Sequence, residues 1–213
     1  MENILEYVKQ KWKQLTAFSK KEELKQQLWE EIVYRYSEQH RHYHNLTHLG
    51  FLFTLCDKYL DKIKNPAVVD FAIIYHDIVY DTYRSDNEAL SADIAEAHLT
   101  QLNINQKLLI NIKEFIIASK DHVIAEDAPL KEDLAIFLDF DMAILGSGEE
   151  YYKLYSENIR QEYTKYPDDL YKPGRKLALQ KMLAVEHIFQ SPIFKKDLET
   201  AARENIQKET NLL

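Results

Sequence analysis

Four side chains in this sequence are of the types that bind metal ions: His48, the adjacent pair His76-Asp77, and Asp141. Imidazole nitrogens and carboxylate oxygens together suit a divalent transition metal or magnesium. The chain has a single cysteine, Cys56, which excludes an intramolecular disulfide and any cysteine-based zinc cluster. Any metal ion bound here must therefore be held by histidine and carboxylate side chains.

The elements that must position these side chains have the sequence pattern of helices. Apolar residues recur at spacings of three and four, no segment alternates as a half-buried strand does, and only 4 Gly and 5 Pro punctuate 213 residues. Nothing resembles a Pro/Gly/Ser-rich linker, so we predict one all-helical (all-α) domain over residues 1–213. The predicted helices cover residues 2–17, 20–38, 45–63, 66–77, 86–102, 105–121, 130–146, 149–165, 174–190 and 192–210.

Several helix boundaries are predicted from capping signals. Asn65-Pro66 and Ser191-Pro192 place a capping side chain before a proline at the first helical position. Ser85-Asp86-Asn87-Glu88 has the form of a capping box, and Gly146-Ser147-Gly148 is the clearest stop signal.

Helical phase predicts which polar side chains point at the core. His48 and His76 each share a face with apolar residues of their own helix. Asp141 falls on the apolar stripe of the seventh predicted helix, whereas Asp139 is about 200° away on a helical wheel. Phase therefore favours Asp141 over Asp139 as a ligand, and it predicts that His122 projects inward near the end of the sixth helix.

Each of these residues also has a purely structural interpretation. A single buried histidine, such as His48 or His122, is more often a hydrogen-bonded core residue, and Asp141 could instead form an ion pair with Arg160 or Arg175. The number of groups decides between the two interpretations. Four inward-facing His and Asp groups from three helices would be costly to bury without a shared partner, and a cation is the simplest such partner.

In the order of these residues and in its helical character, the chain resembles the HD superfamily of metal-dependent phosphohydrolases. The resemblance covers residues of about 40–145. We expect this range to form the HD core, with further helices on its N- and C-terminal sides. More narrowly, the chain is similar over almost its whole length to a subgroup of predicted HD phosphohydrolases that has no assigned substrate. The segments that carry this similarity are Tyr43-His44-Asn45-Leu46-Thr47-His48, His76-Asp77-Ile78-Val79-Tyr80-Asp81, Asp86-Asn87-Glu88, Phe137-Leu138-Asp139-Phe140-Asp141-Met142-Ala143-Ile144-Leu145-Gly146, Ile159-Arg160-Gln161-Glu162-Tyr163 and Gly174-Arg175.

The resemblance implies that His48, His76, Asp77 and Asp141 bind a divalent metal ion, which could be Mn, Mg, Fe, Co, Ni or Zn. It implies hydrolysis of a phosphate ester by metal-activated water. The doublet is followed by Ile78-Val79-Tyr80 and not by the Gly-Lys of cyclic-dinucleotide phosphodiesterases, which argues against that substrate class.

Other residues are candidates for proton transfer and phosphate binding. Glu88 or His122 could exchange the proton, although Glu88 could instead only close the capping box. Asn45 and its neighbours Tyr43-His44 could orient His48 or line the pocket, or Asn45 could simply cap its helix. The candidate partners for the phosphoryl oxygens are Arg84, Lys120, Arg160 and Arg175.

Charge and composition limit the possible partners. A net charge of −8 argues against a protein that coats a nucleic-acid polymer, and we expect a small phosphorylated substrate, with nucleotides as the leading class. Without a signal-peptide pattern or a long apolar run, we expect a cytoplasmic protein that does not enter the membrane. The sequence leaves open a homodimer, a di-iron HD-type oxygenase with further ligands near His122, and a sensory module that binds a metal or ligand without turnover.

Overall fold

The computed structural model describes residues 4–213, and within that range it contains ten α-helices, two 3-10 helices and no strand. This confirms the predicted all-helical fold. The α-helices are α1 (Ile4–Leu15), α2 (Glu22–Tyr36), α3 (Leu46–Lys58), α4 (Pro66–Tyr75), α5 (Asn87–Gln101), α6 (Gln106–Ala118), α7 (Lys131–Met142), α8 (Glu149–Glu162), α9 (Asp168–Ala184) and α10 (Pro192–Leu212). The 3-10 helices are Leu60–Lys62, after α3, and Ala143–Gly146, after α7.

Most helix boundaries lie within a few residues of the predicted ones, apart from predicted residues 2 and 3, which fall outside the described range. The ninth helix is the exception, because it was predicted to cover 174–190 and α9 spans Asp168–Ala184. Pro173 lies inside α9 and does not start a helix after it. Proline lacks a backbone N–H, so Pro173 removes one donor from the helix. The acidic pair Asp168-Asp169 in the first turn favours a helix start before the predicted residue 174.

The end of α9 is fixed by a contact that no local pattern encodes. Arg203 of α10 donates to the carbonyls of Leu183, Val185 and Glu186, at 3.0, 2.8 and 2.9 Å. These bonds supply partners to carbonyls at the C-terminal end of the helix, which lack an intrahelical donor. The helix therefore stops at Ala184, before the predicted end.

The capping signals had mixed outcomes. Ser191 caps α10, accepting a hydrogen bond from the backbone N–H of Phe194, as predicted. The predicted capping box at Ser85–Glu88 is wrong, because Asp86 is the N-cap residue of α5 and its side chain makes no capping bond. That carboxylate instead pairs with the guanidinium of Arg84 at 2.8 Å, since the two residues lie close enough for a bidentate contact.

The described chain divides into two compact units, and the boundary falls inside α7, between Phe137 and Leu138. The first unit is organised around α4, which contacts α1, α3, α5 and α6. Seven of the ten residues of α4 are buried. A helix that is apolar on all sides belongs inside a core, so α4 offers a fixed support for whatever follows its last turn.

Asp133 fixes the start of α4 from the first turns of α7. Its carboxylate is 1% exposed and accepts hydrogen bonds from the backbone N–H groups of Lys64 and Asn65, at 2.9 and 2.7 Å. The Asn65 side-chain amide adds a third bond at 2.9 Å. Asn65 itself makes no side-chain cap on α4, so Asp133 replaces the predicted local cap with a long-range one.

The second unit, Leu138–Leu213, packs α10 against α9 and against the 3-10 helix that follows α7. Gly146 ends that 3-10 helix where a Cβ atom would lie 2.7 Å from the Cβ of Leu198, so only glycine allows this approach. Asn205 holds the same segment by donating to the carbonyls of Leu145 and Ser147, both at 2.9 Å. Over residues 4–213, no helix is long and apolar enough to cross a membrane.

Candidate metal centre

His48 lies in the first turn of α3, and the start of that helix sets its position. Asn45 is the N-cap residue, and its side chain accepts a hydrogen bond from the N–H of Thr47 at 2.8 Å. The capping role considered for Asn45 is therefore confirmed. His48 follows three residues later on the buried face, with 3% of its surface exposed, as helical phase predicted.

His76 caps the C-terminal end of α4 and is 1% exposed. Its Nδ1 lies 3.0 Å from the carbonyl oxygen of Ile73, and a carbonyl can only accept, so Nδ1 carries the proton and donates it. The edge of Phe137 packs against the ring at a centroid distance of 5.9 Å. Nε2 of a neutral His76 therefore keeps its lone pair, in a ring orientation that is fixed on two sides.

The two imidazoles face each other, with His48 Nε2 and His76 Nε2 3.3 Å apart. Two nitrogens that each lie about 2.1 Å from one ion would be separated by about 3.0 Å in octahedral and about 3.4 Å in tetrahedral coordination. The observed separation lies within that interval. The spacing of the two rings thus fits a shared cation without any movement of α3 or α4.

Asp77 brings a carboxylate to the same point. Its Oδ2 is 3.1 Å from His76 Nε2 and 4.0 Å from His48 Nε2. The same oxygen is 4.0 Å from Nε2 of His44. The Asp77 side chain is 16% exposed while the His48 side chain is fully covered, so solvent reaches the carboxylate side of the pair.

Asp141, in the last turn of α7, is the third member of the one group of potential metal ligands found in residues 4–213. His48, His76 and Asp141 each offer one ligand atom, and these atoms lie within 4.8 Å of one another. The two histidines are buried and Asp141 is half-buried. This group could hold a metal ion, and it contains three of the four ligands expected from the sequence. Asp77, the fourth, lies beside His76 but is not a member of the group, so its role as a ligand stays a prediction.

The neighbouring carboxylate, Asp139, has a different environment. It accepts hydrogen bonds from the backbone N–H groups of Gln190 and Ser191, at 2.6 and 2.7 Å. Burial raises the pKa of Asp139 to about 6, against the opposing effect of these hydrogen bonds. The helical wheel was wrong to place Asp139 away from the core, because Asp139 is only 1% exposed whereas Asp141 is half-buried. Asp141 is nevertheless the aspartate that groups with the two histidines, and Asp139 anchors the start of α10.

Two residues beside the centre were not singled out from the sequence. Arg41 is buried and donates to the backbone carbonyl of His44, which precedes His48 in the sequence, and to that of Asp77, which follows His76. Tyr80 stacks on His44 at a centroid distance of 4.2 Å. The sequence placed Arg41 three residues before His44, which was the one signal for a role near the site. Its partners Asp77 and Ile78 lie 36 and 37 positions away, and residue spacing does not reveal such contacts.

The loop after the doublet carries several of the other predicted residues. Val79 and Asp81 bond through their N–H groups to the side chains of Ser91 and Asn87, which attaches this loop to α5. Glu88 lies half-buried in the first turn of α5, and its role in proton transfer stays a prediction. Arg84 pairs with Asp86, and Lys120 donates to the carbonyl of Ser85 at 2.7 Å; both are exposed.

His122 does not lie on a helix as expected. The sixth helix ends at Ala118, and His122 lies four residues further on with a positive φ of 53°, in the left-handed region. The helical wheel therefore does not apply to it. Within the described residues it is not part of the group formed by His48, His76 and Asp141.

Arg160 and Arg175 have carboxylate partners in the second unit. Arg160 contacts Asp168 at 2.7 Å and the carbonyls of Tyr163 and Tyr166, which closes the turn between α8 and α9. Arg175 pairs with Glu209 at 2.8 Å, with only 10% of its side chain exposed. An ion pair of Asp141 with either arginine, the alternative considered from the sequence, stays a prediction. Phosphate binding by either residue stays a prediction.

Comparisons of this chain with protein-family models, with characterised proteins and with solved structures found no match. Two imidazole nitrogens beside carboxylates form a donor set that suits first-row divalent transition metals, whereas calcium takes oxygen ligands alone.

Proposed function

We propose that this protein is a metal-dependent phosphohydrolase that cleaves a phosphate ester of a small metabolite, with nucleotides as the leading substrate class. The observation that carries the proposal is the facing pair His48 and His76, whose Nε2 atoms lie 3.3 Å apart beside two carboxylates. The resemblance of the sequence to HD phosphohydrolases supports the same reaction class.

In this proposal His48, His76, Asp77 and Asp141 hold the ion. A bound divalent cation would supply a Lewis acid for a phosphoryl oxygen and would lower the pKa of a bound water toward neutrality. His76 would offer its Nε2 lone pair to the ion, because its Nδ1 proton is donated to the Ile73 carbonyl. His48 is held by α3, whose start is fixed by Asn45.

The partial exposure of the carboxylates favours a catalytic site over a structural one. A tetrahedral structural zinc site is closed by four protein ligands, whereas an octahedral divalent ion held by the same number keeps two positions open for water or substrate. Both histidines are buried, whereas Asp77 and Asp141 are only half-buried. Substrate would therefore approach from the carboxylate side, where His44 Nε2 lies 4.0 Å from Asp77 Oδ2 and could carry the proton. Glu88 and His122 are the other candidates for that role, from the sequence.

A chain with a net charge of −8 needs local cations to bind a phosphate. Arg84 lies on the loop that follows the doublet, and Lys120 contacts the same loop at Ser85. We propose these two as the cations that accompany the phosphoryl group. Their ion pair and hydrogen bond are exposed, so exchanging Asp86 or the Ser85 carbonyl for a phosphate oxygen costs little.

The test measures phosphate release from a panel of nucleoside and sugar phosphates, after loading the purified protein with Mn²⁺. Wild type should turn over at least one member of the panel, and His76→Ala should abolish the activity. His98→Ala, which removes a buried histidine of α5 outside the metal group, is the control and should retain activity. Metal binding without phosphate release from any substrate would refute the hydrolase proposal, as would full activity in His76→Ala.

A further inference from the structure

Arg41 is the one residue of the segment before α3 whose charged side chain is completely covered, with 0% of it exposed. Its guanidinium lies over the rings of Tyr36 and Tyr80, at 5.0 and 5.6 Å from their centroids. A buried guanidinium is costly unless its donors are used, so its hydrogen bonds show what it stabilises.

Those donors join two segments that are distant in the sequence. Nη1 donates to the carbonyls of Asp77 and His44, at 2.6 and 3.1 Å. Nη2 donates to the carbonyl of Ile78 at 3.1 Å, and Nε to the carboxylate of Glu38 at 3.0 Å. Asp77 and Ile78 follow the end of α4, and His44 precedes the start of α3.

The two bridged segments are the ones that carry the facing histidines. His48 lies four residues after His44, and His76 directly precedes Asp77. Carbonyls beyond a helix end have no intrahelical donor, and Arg41 supplies donors to those of Asp77 and Ile78. The N–H groups of the same two peptide units bond to Tyr75 and Ser91, so Arg41 completes their attachment on the carbonyl side. The planar, fork-shaped guanidinium holds both of them at once, which the single ammonium group of lysine cannot do.

We propose that Arg41 is a positioning residue of the metal centre, which fixes the Asp77 carboxylate relative to His48 by clamping the backbone at the two helix ends. This inference rests on the proposed metal centre. Arg41 itself contacts carbonyls and a carboxylate and does not bind the ion. Its loss should weaken metal binding because the ligands are no longer held in one arrangement.

The experiment compares Arg41→Gln with Arg203→Gln. Arg203 offers a matched bonding pattern in the second unit, with one carboxylate, Glu199, and three carbonyls as partners. The affinity for Mn²⁺ alone is measured by titration calorimetry, and the visible absorption of bound Co²⁺ reports the ligand geometry. We expect Arg41→Gln to bind Mn²⁺ about 10- to 100-fold more weakly, with an altered Co²⁺ spectrum, and Arg203→Gln to match wild type.

The outcomes separate this inference from the proposed metal centre. If wild type binds neither ion, the metal centre itself is refuted. If wild type binds Mn²⁺ and a folded Arg41→Gln binds it equally well, only the role of Arg41 is refuted. Far-UV circular dichroism checks folding, and if Arg41→Gln does not fold, Arg41→Lys decides: unchanged Mn²⁺ affinity and an unchanged Co²⁺ spectrum would overturn the inference.

Discussion

The geometry of His76 allows a substitution that removes the proposed metal ligand atom while preserving the hydrogen bond of the side chain to the Ile73 carbonyl. In His76→Asn the side-chain amide can still donate to the Ile73 carbonyl, which takes the Nδ1 proton in wild type at 3.0 Å. No atom then occupies the Nε2 position. The variant should therefore lose metal binding without losing the hydrogen bond that anchors the residue to α4.

The expected effect is a loss of metal-dependent stabilisation. An ion that binds only the folded state adds about 2.7 kcal/mol to the free energy of unfolding when its concentration is 100 times Kd. For a chain of this size, about 2 to 4 °C of Tm corresponds to each kcal/mol, so wild type should gain about 5 to 11 °C on adding Mn²⁺. His76→Asn should gain almost nothing.

Without metal, the substitution should cost about 1 to 3 kcal/mol, because the edge contact with Phe137 and the buried ring volume are lost. His98→Asn provides the matched control. The ring of His98 is also buried, also packs edge to face on an aromatic ring, that of Tyr75, and also has an Nδ1 contact, with the Tyr75 hydroxyl at 3.3 Å. We expect similar losses of metal-free stability in the two variants.

The assay is thermal unfolding followed by circular dichroism, in chelator and then across a Mn²⁺ titration. The difference in Tm between the two conditions isolates the effect of the ion from the cost of the substitution. A metal-dependent gain in His76→Asn equal to that of wild type would show that Nε2 of His76 is not a ligand. A gain lost equally in His98→Asn would show that any damage to the core abolishes binding.

Two further predictions concern stability. Asp133→Ala should lower the free energy of unfolding by about 2 to 4 kcal/mol in a denaturant titration, because two backbone N–H groups before α4 lose their acceptor; a loss below about 0.5 kcal/mol would contradict this. Burial lowers the pKa of His98 and outweighs the opposing effect of the Glu31 carboxylate, which lies 3.2 Å from the ring. The neutral His98 side chain therefore contributes to stability above the unfolded pKa of about 6.5, and this contribution is lost as the pH falls through the lower folded pKa. His98→Gln should flatten that acid dependence, and an unchanged slope below pH 6.5 would refute the assignment.

Helical phase repeats every 3.6 residues, so the local sequence pattern predicted which side of its helix each histidine occupies. That periodicity put His48 and His76 on buried faces, which the structure confirms, but it placed Asp139 away from the core, where the structure buries it. Asn45 was likewise recognisable as a helix cap from its position alone. These features depend on neighbours within one or two turns, so they are encoded locally.

Contacts between distant segments were decided by the tertiary structure alone. Arg41 reaches the carbonyl of Asp77 across 36 positions, and Asp133 replaces the local cap of α4 across 68. The end of α9 depends on Arg203. The sixth helix ends at Ala118, before its predicted end at residue 121, so the helical phase does not extend to His122. Each of these outcomes depends on how helices pack side by side, and residue spacing along one helix carries no information about which groups a neighbouring segment presents to it.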